Sequence, residues 1–148
     1  VITVQQVYDM AIKLMNQQDD STGTTDSSEL DGYKNRTLAL LNILVSDLYN
    51  LSDNTTFPSE AKPVPALLTD FTDGIDLDDR LAVNVLPYGL AAHLYKGEDA
   101  DNVADLFFNT YYNLKKDYAK KKPTAKVAIT NVYGSFSSSV RGEVYEDD

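Results

Sequence analysis

The stretch "LAVNVLPYGLAAHLYKGEDA", residues 81–100, decides how the chain is read. Its apolar residues recur at helical spacing, yet Pro87 and Gly89 sit inside the pattern. Within one continuous helix Pro87 would forfeit a backbone hydrogen bond and kink the axis, at about 3 kcal/mol unless the surroundings adapt. Alternatively, one helix ends near Leu86 and the next begins with Pro87 in its first turn, where a missing amide hydrogen costs little. In both arrangements the chain bends. Gly89, followed by Ala91 and Ala92, leaves so little side-chain bulk that a neighbouring helix can approach closely. Pro87 and Gly89 are therefore read as the bend and the close-contact position of a helical scaffold.

Just upstream, Asp76, Asp78 and Asp79 precede Leu81, Ala82, Val85 and Leu86. Carboxylates at a helix start cap free amides and interact favourably with the backbone dipole. The spacing lacks the glycine and glutamate of a calcium-binding EF-hand loop, so no metal is assigned. "ALLTDF", residues 66–71, suits a short strand or a helical turn, and its length does not separate them. Before it, the proline-rich "SDNTTFPSEAKPVP" is an irregular connection.

At the start, Thr3 with Gln6 forms a capping-box pattern. Val4, Val7, Tyr8, Ala11, Ile12 and Met15 then mark one face of a helix over residues 4–16. "QQDDSTGTTDSSE" has no large apolar group and reads as an exposed loop. From about Leu30 to Leu51, Tyr33, Leu40, Leu41, Leu44, Leu48 and Leu51 repeat at helical spacing. Leu38, Val45 and Tyr49 widen that stripe, so this helix is expected to lie centrally or to meet another chain.

Downstream, Gly97 is placed at the end of a helix and a further helix over Asp99–Lys121. Its expected buried face is Val103, Leu106, Phe107, Tyr111, Leu114 and Tyr118, with Phe108 and Tyr112 beside it. Lys115, Lys116 and Lys120–Lys122 complement the dipole at its C-terminal end. Pro123 stops the helix. "KVAITNVY" and the serine-rich residues after it read as extended chain or a weak hairpin, marginal alone and in want of a partner surface. The expected fold is mainly α: a small helical bundle over 1–122 with an extended or β-hairpin C-terminal arm over 123–148.

The composition removes several function classes. The chain has 148 residues, 43% of them apolar, a formal charge of −10 and no cysteine. The charge disfavours a phosphate-binding surface. Without cysteine there is no disulfide, thiolate zinc site or thiol nucleophile. No apolar run approaches the ~20 residues of a membrane span, and no basic-then-apolar leader pattern opens the sequence, so a soluble protein with no membrane association is expected. N-x-S/T matches at Asn35, Asn50 and Asn54 follow from a composition rich in these residues. His93, the single histidine, lies among Leu90, Ala92 and Leu94 and reads as a packed or surface side chain. No phosphate-loop, dinucleotide or zinc-hydrolase motif occurs, and no catalytic residue, cofactor or metal is assigned.

Several stretches taken together carry a resemblance. "TVQQVYDMAIKLM", "YKNRTLALLNILVSDLY", "LDDRLAVNVLPYGLAAHLYKGEDADNVADLFFNTYYNLKK" and "ITNVYGSF" resemble, in order and spacing over most of the chain, the small head-tail connector (adaptor) proteins of tailed bacteriophages and related prophages. "LPYGLAAHLYKGED" is the most specific part. The resemblance implies a non-enzymatic virion protein of the neck between capsid and tail, assembled in the host bacterial cytoplasm. It implies a ring of copies beneath the portal protein that extends the DNA channel, without sequence-specific DNA binding, and docks the tail or a stopper protein. An acidic balance suits a channel along which DNA must slide. In this reading Leu38, Tyr49, Phe108 and Tyr112 are assigned to subunit or portal contacts, and Val127, Ile129, Val132, Tyr133 and Phe136 to the arm. The rivals are a tail-completion or stopper protein of the same neck, an acidic helical binding module or DNA mimic, and a small hydrolase using carboxylates alone.

Overall fold

A computed structural model describes residues 1–17, 19–52, 64–96, 98 and 101–121, and it is mainly helical. Helix α1 spans Val4–Leu14, α2 Asp31–Leu48, α3 Asp79–Asn84, α4 Leu86–Tyr95 and α5 Asp101–Lys121. Short 3-10 turns, Ser28–Leu30 and Tyr49–Leu51, bracket α2. The expected C-terminal arm, with Val127, Ile129, Val132, Tyr133 and Phe136, lies outside the described residues, as does Gly97.

The start of α1 shows how a helix end is satisfied by both local and distant groups. The Thr3 hydroxyl accepts from the Gln6 amide at 3.3 Å, and the Gln6 side chain accepts from the Thr3 amide at 3.0 Å. That is the reciprocal capping box read from the sequence. The two remaining first-turn amides, of Val4 and Gln5, donate to the carbonyls of Asp73 and Phe71 at 3.0 and 2.9 Å. The segment after Leu67 is thereby tied to α1 and takes neither form expected for "ALLTDF". Side chains shape it instead. Asn42 of α2 pairs with both backbone groups of Leu68, at 2.8 and 3.0 Å, and the Asp73 carboxylate gathers the amides of Thr69 and Asp70.

The bend at Pro87 takes the second of its two possible forms. Val85 closes α3 and opens α4, and Pro87 falls in the first turn of α4. Asp78 caps α3 by accepting from the Leu81 amide at 3.0 Å. Helix α4 is the central element: it packs against α5, α1, α2 and α3. Leu86, Pro87, Gly89, Leu90, Ala91, Ala92 and Leu94 are buried, and its remaining residues are half-buried. Of the two expectations for the second long helix, a central place or contact with another chain, the central place falls to α4 instead. Helix α2 leaves Ile43 63% exposed, whereas α4 carries apolar residues all round, the pattern of a fully enclosed helix.

The phase of α5 is also corrected. Its inward stripe is Ala104, Phe107, Tyr111, Leu114 and Tyr118, at alternating spacings of three and four, while Val103 is 42% and Leu106 65% exposed. Small Ala104 sits against the body and the larger apolar residues beside it face out, so ranking by bulk turns the helix the wrong way. The register is set at Gly89: a Cβ there would lie 2.9 Å from two ring carbons of Tyr111 and 3.0 Å from Leu44 Cδ2.

Tyrosines tie the helices at their rims. Tyr111 donates to Asp47 of α2 at 2.7 Å, Tyr118 to Asp78 at 2.7 Å and Tyr95 to the Met15 carbonyl at 2.6 Å. Tyr8 differs. It is fully buried with no hydrogen-bond partner for its hydroxyl among the described residues, and burial, followed by the charges of Asp9, Asp26 and Asp31, raises its pKa to about 12.

Two stability predictions follow from these contacts. Alanine at Gly89 gains about 1 kcal/mol of helix propensity. It must also displace a ring anchored at both ends, and overpacking of that kind costs about 1–3 kcal/mol. Gly89→Ala is therefore expected to be net destabilising in urea unfolding, and a stabilised variant would show that α4 and α5 are not this close. Tyr111→Phe is expected to cost about 1 kcal/mol, whereas Tyr8→Phe, which removes an unpaired buried hydroxyl, is expected to be neutral or stabilising in the same assay.

Candidate functional site

Among the described residues, exposed apolar side chains run along both flanks of α5, besides Ile43 on α2 and Val64 and Leu67 in the connection before α3. With 3.6 residues per turn, Val103 and Leu106 fall on one side of the buried stripe and Phe108 and Tyr112 on the other. The first flank is aliphatic. Further along α5, a groove of about 580 Å³ lies between α1, the α3–α4 bend and Leu114, lined by Met10, Lys13, Leu14, Val83, Asn84, Pro87 and Tyr88.

The second flank is aromatic and basic. Phe108 is half-buried, and the His93 ring meets it edge-on with centroids 4.9 Å apart. The Lys96 ammonium lies 5.3 Å from the Phe108 centroid, within reach of a cation–π attraction. Tyr112, 55% exposed, stacks beyond Phe108 at 6.3 Å. It also lines a second cavity of about 430 Å³ with Leu51, Lys115, Lys116 and Ala119. Lys115 is held by Asp47 at 2.7 Å. Burial opposes ionisation of Asp47, but the bonds from Lys115 and Tyr111 and the lysine charge outweigh it, so its pKa is lowered.

Of the residues assigned to contacts from the sequence, the fold brings Phe108 and Tyr112 together on this flank. Leu38 is half-buried against the core. Tyr49 is 8% exposed and packs with the core, and its hydroxyl donates to the exposed Asp76 at 3.2 Å. The groove beside α1 was missed. Met10 and Leu14, one turn apart on the edge of the α1 face, were its sequence signal; Val83 carried none.

Six of the described carboxylates are engaged in holding the fold. Asp47, Asp76 and Asp78 accept from tyrosines, and Asp19, Asp70 and Asp73 accept from loop amides and hydroxyls. Among the described residues there is no group of three or more acidic, histidine or cysteine side chains placed to hold a metal. No helix among them is long and apolar enough to cross a membrane. Comparison of the chain with models of protein families, with curated proteins and with solved structures finds no match.

His93 gives the aromatic flank a pH signature. Burial first, and Lys96 second, lower its pKa below the ordinary 6.5. A depressed base binds fewer protons in the folded state than in the unfolded one, so stability falls as pH drops from 6.5 toward the folded value. Unfolding free energy measured at about pH 7.5 and about pH 5.5 is expected to decline, and His93→Gln to flatten that decline; an unchanged slope in the variant would place the histidine in water.

Proposed function

We propose that this protein is a head-tail connector, or adaptor, of a tailed bacteriophage or prophage. It forms a ring beneath the portal, extends the DNA channel and docks the tail or a stopper protein. The body is the helical bundle over 1–122, and the segment 123–148 is the arm that reaches a neighbour or the portal. No catalytic step is assigned, and the place of action is the neck of the virion, assembled in the bacterial cytoplasm.

The observation that carries this reading is the unlikeness of the two flanks of α5. A two-fold dimer repeats one self-complementary patch, whereas a ring joins two different patches head to tail. Val103 and Leu106 make one such patch; Phe108 and Tyr112 with Lys96, Lys115 and Lys116 make another. Exposed apolar surface of this kind marks an interaction site. A ring contact of Val103 and Leu106 against Phe108 and Tyr112 uses both.

The acidic-module rival needs carboxylates displayed in rows for a basic partner. Here many are occupied by tyrosine hydroxyls and loop amides. The hydrolase rival needs a carboxyl with a raised pKa. Among the described residues, the carboxyls with a resolved shift, Asp19, Asp47, Asp70 and Asp73, are all lowered. A stopper or tail-completion role shares the ring geometry and differs in the partner above it.

The test is electron microscopy of the protein mixed with the portal protein encoded in its own genome. Ring density on the portal is expected, with Leu106→Asp and Tyr112→Asp each lowering occupancy by about tenfold or more, as for a buried contact residue. Rings that form on another neck component but not on the portal would assign the stopper role. Absence of any neck binding would overturn the reading.

A further inference from the structure

We infer that the groove between α1 and the α3–α4 bend captures the C-terminal end of another protein's chain: one or two apolar residues with their free carboxylate. The groove holds about 580 Å³, within the range of built binding sites. Leu14 and Val83, on its two walls, are 37% and 38% exposed, so the described residues of the protein leave it uncovered. Met10 and Leu114, half-buried, and Pro87, buried, complete its apolar lining.

The polar groups of the groove choose the occupant. The side chains of Lys13 and Asn84 are exposed and make no hydrogen bond or ion pair with another described residue. On the α3 wall, the Val83 carbonyl would accept from residue 87 in an unbroken helix, but Pro87 has no N–H to give. No other described backbone amide donates to it. The groove therefore combines an ammonium and a side-chain amide, which seek an anion, with a backbone oxygen that lacks a donor. The end of a peptide chain satisfies all of them: its carboxylate meets Lys13 and Asn84, its last N–H donates to the Val83 carbonyl, and its side chain covers the apolar lining.

Charge and length exclude other occupants. A segment rich in acid is repelled by a chain of net charge −10, whereas a single carboxylate is matched by Lys13 alone. From Met10 to Leu14 the α1 wall advances about 6 Å. That is room for two residues of extended chain at about 3.3 Å each. It falls short of the i to i+7 spacing, about 10 Å, over which a groove-bound helix anchors. A segment running through the groove would also bury backbone groups between helical walls whose amides are already bonded, and a chain end buries the fewest. The groove shares no residue with either α5 patch of the proposed ring, so capture of a chain end does not depend on the connector reading.

The test is an NMR titration of the full ¹⁵N-labelled chain with acetylated tetrapeptides ending in Leu-Leu, Ile-Leu or Leu-Phe, each as the free acid and as the C-terminal amide. At least one acid is expected to shift the amide signals of Leu14, Val83 and Asn84 and to leave those of Phe108 and Tyr112 in place. It is expected to bind about tenfold more tightly than its amide, the worth of a hydrogen bond to a charged group. Lys13→Met, which keeps the apolar stem of an exposed side chain, is expected to bring acid and amide to equal affinity. Equal binding of acid and amide by the unaltered protein would overturn the proposal, as would an undiminished preference for the acid in Lys13→Met. So would no shift at the groove with any of the acids. Tighter binding of a peptide amide with an internal aspartate would assign the groove to a through-running segment and likewise overturn it. Changes in the same signals on dilution, without peptide, would mean that a second copy fills the groove, which also overturns it.

Discussion

Gly89 brings the backbone of α4 against the ring of Tyr111, and the same ring carries its hydroxyl 2.7 Å from Asp47 on α2. One side chain therefore measures the separation of three helices. If α4 stood a methyl group further away, the ring would shift outward and its hydroxyl would lose its fixed reach to Asp47. Leu44, 3.0 Å from the position a Cβ would take, closes the triangle from the α2 side. Packing at interior density transmits such a displacement instead of absorbing it. The break at Val85 belongs to the same constraint, because restarting the helix with Pro87 in its first turn aims α4 into this narrow seat.

Four tyrosines explain how a strongly acidic chain holds its helices together with few ion pairs among the described residues. Tyr49, Tyr95, Tyr111 and Tyr118 each contribute a ring packed on the core and a donor at its edge, where a carboxylate or carbonyl accepts. Asp78 does more than cap α3: its amide donates to Ser52 at 2.9 Å and its second oxygen takes the Tyr118 hydroxyl at 2.7 Å, so the exit of α2, the start of α3 and the late part of α5 meet at one residue. Asp47 likewise joins α2 to both Tyr111 and Lys115. Negative charge is thus placed where donors need it, which leaves apolar and lysine-bearing surface on α5 as the conspicuous unsatisfied feature.

What could be read from the sequence follows the range of the interactions. The capping box at Thr3, the cap at Asp78, the bend at Pro87 and the close approach at Gly89 are signalled by residues within one or two turns, and each is found. The segment around Leu68 was illegible because its form comes from Asn42, 26 positions away. The burial of Tyr49 was hidden for the same reason: Asp76, which its hydroxyl meets, is 27 positions away. The phase of α5 failed on a different point, since Ala104 has too little bulk to advertise burial and only the opposing helix reveals it. Phe108 and Tyr112 were legible as a flank, but the lysine-rimmed cavity beside Tyr112 needs the end of α2 alongside α5.

On the proposed connector reading, these features bear jointly on a ring that lines a DNA channel. DNA slides best past a surface that offers no retained cations, and an overall negative charge supplies that condition only where lysines are not gathered. On this chain they gather at the end of α5, the one place in the sequence where five fall within eight positions, from Lys115 to Lys122. In the proposed ring, covering that end of α5 with a neighbouring subunit would keep the lysines from the DNA.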